Sequence, residues 1–353
     1  MKTISRRELL RRTAMGLGAI TLGELLAACS PSRNIAPTVA ARNTPTSAPL
    51  ATATPAPTTA LQQAATTAAP TATTAAQAAP TAYSIANLAV ARGGDDPEIL
   101  VRKAIAAIGG MEHFVPKGAN VVVKPNMCIP AKFTQGATTN PIVVATLVKM
   151  AFEAGAKSVK VLDFPFGGPS IEVYEVCGIG QKVKEAGGEM EPIATFKFVK
   201  TIIPKAVSLK HADIYQTILN ADVLINAPVA KNHSEAMFTL GLKNMMGVVS
   251  DRPYMHVFLN QAIADLNTIV RPHLTVIDAV RVMLNGGPRG GREDYLKKMD
   301  TIVASPDIVA ADTYALRFFN ADLSSVAYLT MAEQLGVGST DLKNMKIEEI
   351  AVG

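Results

Sequence analysis

The sequence predicts an α/β domain built on a largely parallel, doubly wound sheet with helices on both faces, with a small β excursion or second lobe added to it. Two observations predict this fold class. Short runs of Val, Ile and Leu, suited to buried strands, alternate along the chain with stretches of helical periodicity. Turn residues separate the two kinds of segment, and strands that alternate with helices favour parallel pairing.

The elements are taken in chain order from the first buried strand, predicted at Asn120–Lys124. A helix is predicted from Pro141 with Asn140 as its N-cap, because Asn accepts hydrogen bonds from free backbone N–H groups and Pro suits the first helical position. The other predicted strands are Ser158–Asp163, Phe196–Ile203 as an exposed strand or hairpin arm, Asp222–Ala227, Leu274–Asp278, Thr301–Ala304 and Lys346–Val352. The other predicted helices are Ile171–Ala186, a stretch near Ala236–Met246, Val257–Ile269 and Asp307–Phe319.

The N-terminus carries two export signals in the right order. Ser5-Arg6-Arg7-Glu8-Leu9-Leu10 resembles a twin-arginine signature, and Leu26-Ala27-Ala28-Cys29 resembles a bacterial lipobox. The apolar run between them is too short to span a hydrocarbon core of about 30 Å. Residues 1–28 are therefore predicted to be a signal peptide, and Cys29 the lipid-attachment site of an extracytoplasmic protein anchored to a bacterial membrane.

Residues 29–83 are predicted to be a disordered tether, and residues 84–353 the α/β domain. The segment from Ser30 to Ala82 is dominated by Ala, Thr and Pro and has no aromatic residue, so it cannot bury enough apolar surface to offset its ordering entropy. Residues 1–82 hold seven of the 34 basic and two of the 29 acidic residues, so the rest of the chain is balanced in charge. No nucleic-acid partner is expected of it.

The cysteines do not indicate which cofactor, if any, the protein binds. With Cys29 lipidated, Cys128 and Cys177 remain, which permits one disulfide and supplies no four-cysteine iron–sulfur set. A metal site is conceivable from His233, His256 and Cys128, although their spacing matches no zinc signature.

Polar residues follow directly on several of the predicted strands. Because ligands of open parallel sheets bind outside the carboxyl ends of the strands, these side chains are candidates for a shared site. The alternative for each is a helix cap or a loop hydrogen bond. The residues are Lys124, Asn126, Asp163, Asn226 and Asp278.

The densest polar stretch comes after the Asp222–Ala227 strand. Lys231 and Lys243 are candidates to neutralise an anion, with Asn232 and Asn244 to orient it. His233 is predicted on a loop as the acid/base, with Asp163 or Asp278 as the orienting carboxylate. The alternative for His233 is a hydrogen-bonded structural role.

Two further features complete the prediction. The loop Asn285–Arg292 can turn backbone N–H groups toward an anion, which makes Gly287 and Arg289 candidate binding residues, although a flexible surface turn explains the loop as well. Asp312 lies on the apolar face of the predicted Asp307–Phe319 helix, where a carboxylate needs a partner, so it is expected either to reach the site or to buttress it, and buttressing is the favoured alternative.

These stretches resemble an uncharacterised bacterial and archaeal family, the domain of unknown function family 362, over most of residues 88–350. The resemblance implies the fold and the place of the site, and no settled activity. Its motifs are Val123-Lys124-Pro125-Asn126, Ala137-Thr138-Thr139-Asn140-Pro141, Glu153-Ala154-Gly155-Ala156-Lys157, Asn226-Ala227-Pro228, Lys231-Asn232-His233-Ser234, Thr239-Leu240-Gly241-Leu242-Lys243-Asn244-Met245-Met246-Gly247, Arg271-Pro272-His273-Leu274, Asp278, Gly286-Gly287-Pro288 and Ala310-Ala311-Asp312.

Two functions suit this chain. The first is a redox or metal-assisted enzyme acting on a small anion at the C-terminal edge of the sheet, since twin-arginine export carries proteins that fold before export. The second is a solute-binding lipoprotein that captures a small anion or a metal ion. A redox or transport partner protein would accompany one or the other.

Overall fold

A computed structural model describes residues 85–290 and 292–353. The predicted signal peptide of residues 1–28, the lipid-attachment site Cys29 and the rest of the predicted tether of residues 29–83 lie outside the described residues. So does Gly291, within the glycine-rich loop. None of the helices described in these two ranges is long and apolar enough to cross a membrane.

Within the described residues, ten strands form one sheet and two more form a small separate sheet. The strands are β1 (Leu88–Arg92), β2 (Asn120–Pro125), β3 (Ser158–Val161), β4 (Glu189–Met190), β5 (Phe198–Ile202), β6 (His211–Tyr215), β7 (Val223–Ala227), β8 (Val229–His233), β9 (Met237–Thr239), β10 (Leu274–Met283), β11 (Leu296–Ser305) and β12 (Ile347–Ala351). The large sheet runs in the order β12-β1-β11-β10-β7-β2-β3-β4.

Pairing in the large sheet is mostly parallel, because β11 alone on that path runs against its neighbours β1 and β10. β8 continues beyond β7 and pairs in parallel with β10, and β9 folds back on β8 as a hairpin. β5 and β6 form the separate two-stranded antiparallel sheet. The predicted largely parallel sheet with a small β excursion is confirmed.

Helices cover both faces of the sheet. They are α1 (Pro97–Ala107), α2 (Pro141–Glu153), α3 (Ile171–Val176), α4 (Ile179–Glu185), α5 (Gln216–Leu219), α6 (Gly241–Asn244), α7 (Arg252–His256), α8 (Leu259–Leu266), α9 (Ile308–Ala315) and α10 (Ala327–Gln334). Alternate residues of β2 enter different cores: Val121 and Val123 pack with α1–α4, whereas Val122 packs in the core that includes α8, α9 and α10. This alternation produces the doubly wound arrangement.

Several predicted elements are confirmed, and three are wrong in detail. α2 begins as expected, with the Asn140 side chain accepting a hydrogen bond from the Ile142 N–H. The predicted helix Ile171–Ala186 is two helices, because Gly178 has a left-handed φ of 78°. The stretch Ala236–Met246 begins as β9 and becomes helical only at Gly241. His233 ends strand β8 instead of lying on a loop.

Candidate functional site

A cleft of about 40 Å³ lies at the carboxyl ends of β2 and β3 and beside the β8–β9 hairpin. We call it the strand-end cleft. Most of the side chains predicted to bind or transform a ligand line it, and so do the three metal candidates. The predicted residues found there are Lys124, Asn126, Cys128, Asp163, Lys231, His233, Lys243, Asn244 and His256.

Lys124 and Asp163 form an ion pair at the base of the cleft, with 2.6 Å between Lys124 Nζ and Asp163 Oδ1 and both side chains buried. Lys124 Nζ also donates to the Pro125 carbonyl and to Asn244 Oδ1, and the Met127 N–H donates to Asp163 Oδ2 at 2.6 Å. Both members of the pair therefore have protein partners, and Asp163 Oδ1 meets Lys124 Nζ as an ion pair without a hydrogen bond of its own among the described residues. The role of the pair is to fix the ends of β2 and β3 in place.

Gly247 allows this pair to be covered closely by the chain. A Cβ atom at Gly247 would lie 2.1 Å from Asp163 Oδ1 and 2.7 Å from Lys124 Nζ, far inside contact distance. The Lys243-to-Gly247 segment thus packs its backbone directly on the ion pair, which explains why a residue without a side chain stands there.

Asn244 connects the neighbouring strands. Its Oδ1 accepts hydrogen bonds from Lys124 Nζ and from Asn126 Nδ2, the latter at 2.9 Å, and its Nδ2 donates to Asn226 Oδ1 at 2.8 Å. Asn226, predicted to bind substrate, lies behind this layer, where its Nδ2 donates to the Gly241 carbonyl. Asn226 therefore supports the cleft wall and does not line it.

Lys231 is fully buried, and its hydrogen-bonding partners among the residues that the structure describes include no carboxylate. Its Nζ donates to the Ala137 carbonyl at 2.5 Å and to Asn126 Oδ1 at 3.0 Å, and it lies 3.3 Å from Cys128 Sγ. The positive charge is stabilised by dipoles and a thiol alone.

Lys243 has even fewer partners. Its side chain is buried, and within the described residues its Nζ meets one hydrogen-bonding atom, Met246 Sδ at 3.6 Å. Burial, followed by the charge of Lys231, lowers the pKa of Lys243 to about 8. The Lys243 amine therefore exchanges its proton near neutral pH.

Asp312 holds the segment that carries Lys243. Its two carboxylate oxygens accept hydrogen bonds from the Gly241 N–H at 2.6 Å and the Leu242 N–H at 2.9 Å, at the start of α6. Burial raises the pKa of Asp312 to about 7. Asp312 therefore anchors the start of α6 and does not line the cleft, and its role in supporting a functional site stays a prediction.

Arg252 completes the set of cations and was missed by the sequence analysis. Its guanidinium donates to the carbonyls of Phe164 and Pro165, and it stacks 4.5 Å from the ring of Phe164 and 5.0 Å from that of Phe166. Burial lowers the pKa of Arg252. It begins the short helix α7, far from any predicted strand end, so no local signal marked it.

His233 is held as a neutral imidazole. Burial, and then the charges of Lys243 and Lys231, lower its pKa to about 3. Its Nδ1 accepts hydrogen bonds from the N–H groups of Glu235 and Ala236. The ring proton of the neutral form therefore sits on Nε2, which makes His233 a hydrogen-bond donor through that atom.

The three metal candidates line one cleft without forming a metal site. His256 Nδ1 lies 2.5 Å from Glu235 Oε2, and Cys128 contacts Lys231. In residues 85–290 and 292–353, no group of three or more His, Cys, Asp or Glu side chains is arranged to hold a metal ion. Cys128 and Cys177 are both buried free thiols, so the disulfide left open by the sequence is not formed.

Four predicted residues besides Asn226 lie outside the lining. Asp278 is buried and accepts hydrogen bonds from the N–H groups of Asn140 and Val280, and burial raises its pKa to about 6. Asn232 accepts from the Gly287 N–H at 3.3 Å and donates to the Met237 carbonyl, so both residues fasten the hairpin to the glycine-rich loop. Arg289 is exposed, and the neighbouring Pro288 lines the cleft instead.

The balance of charge in the cleft is strongly positive. Its lining contains four basic side chains, all buried, and Asp163 as its one carboxylate among the described residues: Lys124, Lys231, Lys243 and Arg252. One of the four is neutralised by Asp163. Three buried cations remain without a carboxylate partner, and such charges are costly unless a counter-charge or full hydrogen bonding stabilises them.

Comparison with known proteins places the chain in a family. A model described as a domain of unknown function (DUF362) matches residues 121–317. A thylakoid-associated protein of Synechocystis sp. is 25% identical over 256 residues, which cover 68% of this chain and 75% of the relative.

Two solved structures resemble parts of the chain. A Thermotoga maritima protein has 13% identity and a TM-score of 0.42, and the lactate racemase apoprotein from Thermoanaerobacterium thermosaccharolyticum has 12% identity and a TM-score of 0.43. Each resemblance covers 65% of this chain, and 60% and 56% of the respective solved chains. Since the family model matches more than half of the chain, the protein belongs to the DUF362 family.

Proposed function

We propose that the protein is an enzyme that binds a small anionic substrate in the strand-end cleft. The observation that carries the proposal is the set of three buried cations, Lys231, Lys243 and Arg252, that have no carboxylate partner. A small anion in the cleft would supply the missing charge, and charge-assisted hydrogen bonds are among the stronger polar contacts of proteins. The redox or metal-assisted chemistry expected from the sequence stays a prediction.

The cleft also holds groups suited to proton transfer. Lys243, with its pKa of about 8, exchanges its proton near neutral pH. The hydrogen bonds of His233 favour donation from Nε2 to an oxygen of the substrate, whereas its predicted acid/base role stays a prediction. Arg252 uses two N–H groups on carbonyls and keeps others for a ligand.

The second candidate is a solute-binding protein, since the same three cations suit capture without chemistry. The two functions differ in what happens to the bound anion. Incubation of small carboxylates with the full chain, followed by nuclear magnetic resonance of the solution, separates them. Product that requires the protein supports the enzyme, whereas affinity without any product supports capture.

We expect Lys243→Met to weaken anion binding by roughly 10- to 100-fold, the value of one charge-assisted contact of about 1.5–3 kcal/mol. In the absence of anion the variant should be at least as stable as the parent, because the change removes a buried charge and leaves no oxygen acceptor without its donor. The measurement is the melting temperature against concentration of phosphate and small carboxylates, since a bound ligand stabilises the native state.

Lys103→Met is the matched control, because Lys103 is an exposed lysine of α1 and does not line the cleft. The anion affinity should also fall as the pH rises through about 8, where Lys243 loses its charge. Equal affinities in Lys243→Met and Lys103→Met would rule out anion binding by Lys243.

We also propose that Cys29 carries a lipid that anchors the protein outside the cytoplasmic membrane after twin-arginine export. The support is the sequence Ser5-Arg6-Arg7-Glu8-Leu9-Leu10 and the lipobox that ends at Cys29. We expect Cys29→Ala to move the protein from the membrane fraction to the soluble extracytoplasmic fraction. Lysines in place of Arg6 and Arg7 should retain it in the cytoplasm. Membrane association that survives Cys29→Ala would contradict the lipid anchor.

A further inference from the structure

We propose that Lys243 captures a carbonyl-bearing carboxylate, a 2-oxo acid, as a Schiff base in the strand-end cleft. The inference rests on the proposed function, because it assumes that an anion enters this cleft. It adds the class of substrate and the atom to which the substrate becomes attached.

The first step of the argument is a comparison of the three lysines that line the cleft. Lys124 Nζ has Asp163, the Pro125 carbonyl and Asn244 as partners. Lys231 Nζ has the Ala137 carbonyl, Asn126 and Cys128. Lys243 Nζ, in the part of the chain that the structure describes, has the weak acceptor Met246 Sδ alone. Lys243 is therefore the lysine whose amine is available to a ligand.

The second step is the state of that amine. An amine attacks a carbonyl only when it is unprotonated, and enzymes prepare such lysines by burying them beside another cation. Lys243 is 7% exposed, and burial, followed by the charge of Lys231, lowers its pKa to about 8. Arg252 acts in the same direction, whereas Cys128 and Glu235 oppose the shift. Its unprotonated fraction at pH 7 is on the order of a hundred-fold higher than that of an ordinary lysine.

The third step is rigidity. Lys243 belongs to α6, whose first two N–H groups are held by Asp312, and Asn244 beside it is bonded to Lys124, Asn126 and Asn226. Both neighbours of the amine along the chain are thus fixed in position. A nucleophile on a held segment loses little conformational freedom when it reacts.

The remaining side chains of the cleft suit the carboxylate and the carbonyl oxygen of a 2-oxo acid. Lys231 and Arg252 supply positive charge for its carboxylate, and the Nε2–H of His233 supplies a donor for the carbonyl oxygen. A donor at that oxygen polarises the carbonyl and makes its carbon more open to attack. A simple inorganic anion has no carbonyl carbon that the unprotonated amine could attack.

The chemical step balances without an oxidant or a second reactant. The lone pair of the neutral Lys243 amine forms a C–N bond to the carbonyl carbon, and the carbonyl oxygen takes up a proton to become a hydroxyl. The first amine proton supplies that hydroxyl. The second amine proton passes to the hydroxyl as the C–O bond breaks and the nitrogen lone pair forms the C=N bond, so that one water leaves. The product is an imine between Lys243 Nζ and the former carbonyl carbon, and hydrolysis returns the amine and the 2-oxo acid.

The test is reductive trapping on the full chain. The protein is incubated separately with glyoxylate, pyruvate and 2-oxoglutarate in the presence of cyanoborohydride, and the modified residue is located by mass spectrometry of its peptides. We expect one adduct per chain at Lys243 with at least one of the three acids, forming on the order of a hundred-fold faster than at exposed lysines such as Lys103. Its rate should rise as the pH increases through about 8.

One variant and one neutral aldehyde separate the possible results. Lys243→Arg keeps the positive charge but forms no imine, so it should retain anion-induced stabilisation and lose the adduct. Acetaldehyde, which lacks the carboxylate, should label Lys243 much more slowly. Anion-induced stabilisation without an adduct at Lys243 for any of the three acids would overturn the Schiff base and leave the proposed function intact. Neither stabilisation nor adduct would overturn both.

Discussion

Replacement of Asp163 by Ala is expected to lower the free energy of unfolding by about 3–5 kcal/mol, the cost of breaking a buried ion pair by removal of one partner. In the part of the chain that the structure describes, Asp163 is the one carboxylate that lines the strand-end cleft together with its four buried cations. Without it, the charge of Lys124 remains in an apolar interior, and the Met127 N–H loses its acceptor as well. Chemical denaturation at neutral pH measures the change.

The double variant Lys124→Met with Asp163→Ala is the control. Removal of both charges should recover a large part of the lost stability, because a buried pair costs desolvation free energy that an apolar pair does not. If the Asp163→Ala variant lost less than about 1 kcal/mol, or if the double variant were less stable than the sum of the two single changes, the ion pair would not be what holds these strand ends.

The site could be predicted from the sequence where a polar residue truly ends a strand. Lys124 and Asn126 stand at the end of β2, and Asp163 follows β3 by two residues. The carboxyl ends of parallel strands lie at one edge of the sheet. The apolar runs that mark the strands are therefore enough to predict that these polar residues lie close together.

The same reasoning was wrong for Asp278 because the strand end was misplaced. The apolar run Leu274–Ile277 predicted a strand that ends at Asp278, but β10 continues to Met283 through pairing with β11 and β8. Asp278 therefore lies within the strand, and its carboxylate accepts a hydrogen bond from the Asn140 N–H. Asn226 lies in its strand as predicted, but its side chain is held behind the cleft wall by Asn244 and the Gly241 carbonyl.

Tertiary contacts explain the residues that the sequence could not indicate. Arg252 reaches the cleft only because its guanidinium lies against Phe164 and Phe166, 88 and 86 positions earlier in the chain. The helical pattern of Ala236–Met246 is interrupted because Met237–Thr239 pairs with β8. Neither contact can be recognised from the neighbouring residues in the sequence, and pairing between strands can override the local preference for a helix.

Asp312 is the residue for which a sequence-level conflict pointed directly to a role. A carboxylate on an apolar helix face must find donors, and here it finds the backbone of Gly241 and Leu242 across the core. Replacement by Ala leaves two buried N–H groups unpaired, at about 1–3 kcal/mol each. We expect the free energy of unfolding to fall by about 2–5 kcal/mol in total, and the anion affinity to fall with it, because α6 carries Lys243 and Asn244.

Asp307→Ala distinguishes loss of the site from loss of the helix. Asp307 caps the same helix α9, accepting hydrogen bonds from the N–H groups of Val309 and Ala310, and does not line the cleft. Its removal should cost about 0.5–2 kcal/mol, the usual value of an N-cap, and leave anion affinity unchanged. The two variants are compared by denaturation and by anion titration below their melting temperatures. An Asp312→Ala protein that is destabilised yet binds anions as tightly as Asp307→Ala would show that Lys243 does not depend on this anchor, because a lysine positioned by α6 cannot retain its affinity once α6 is released.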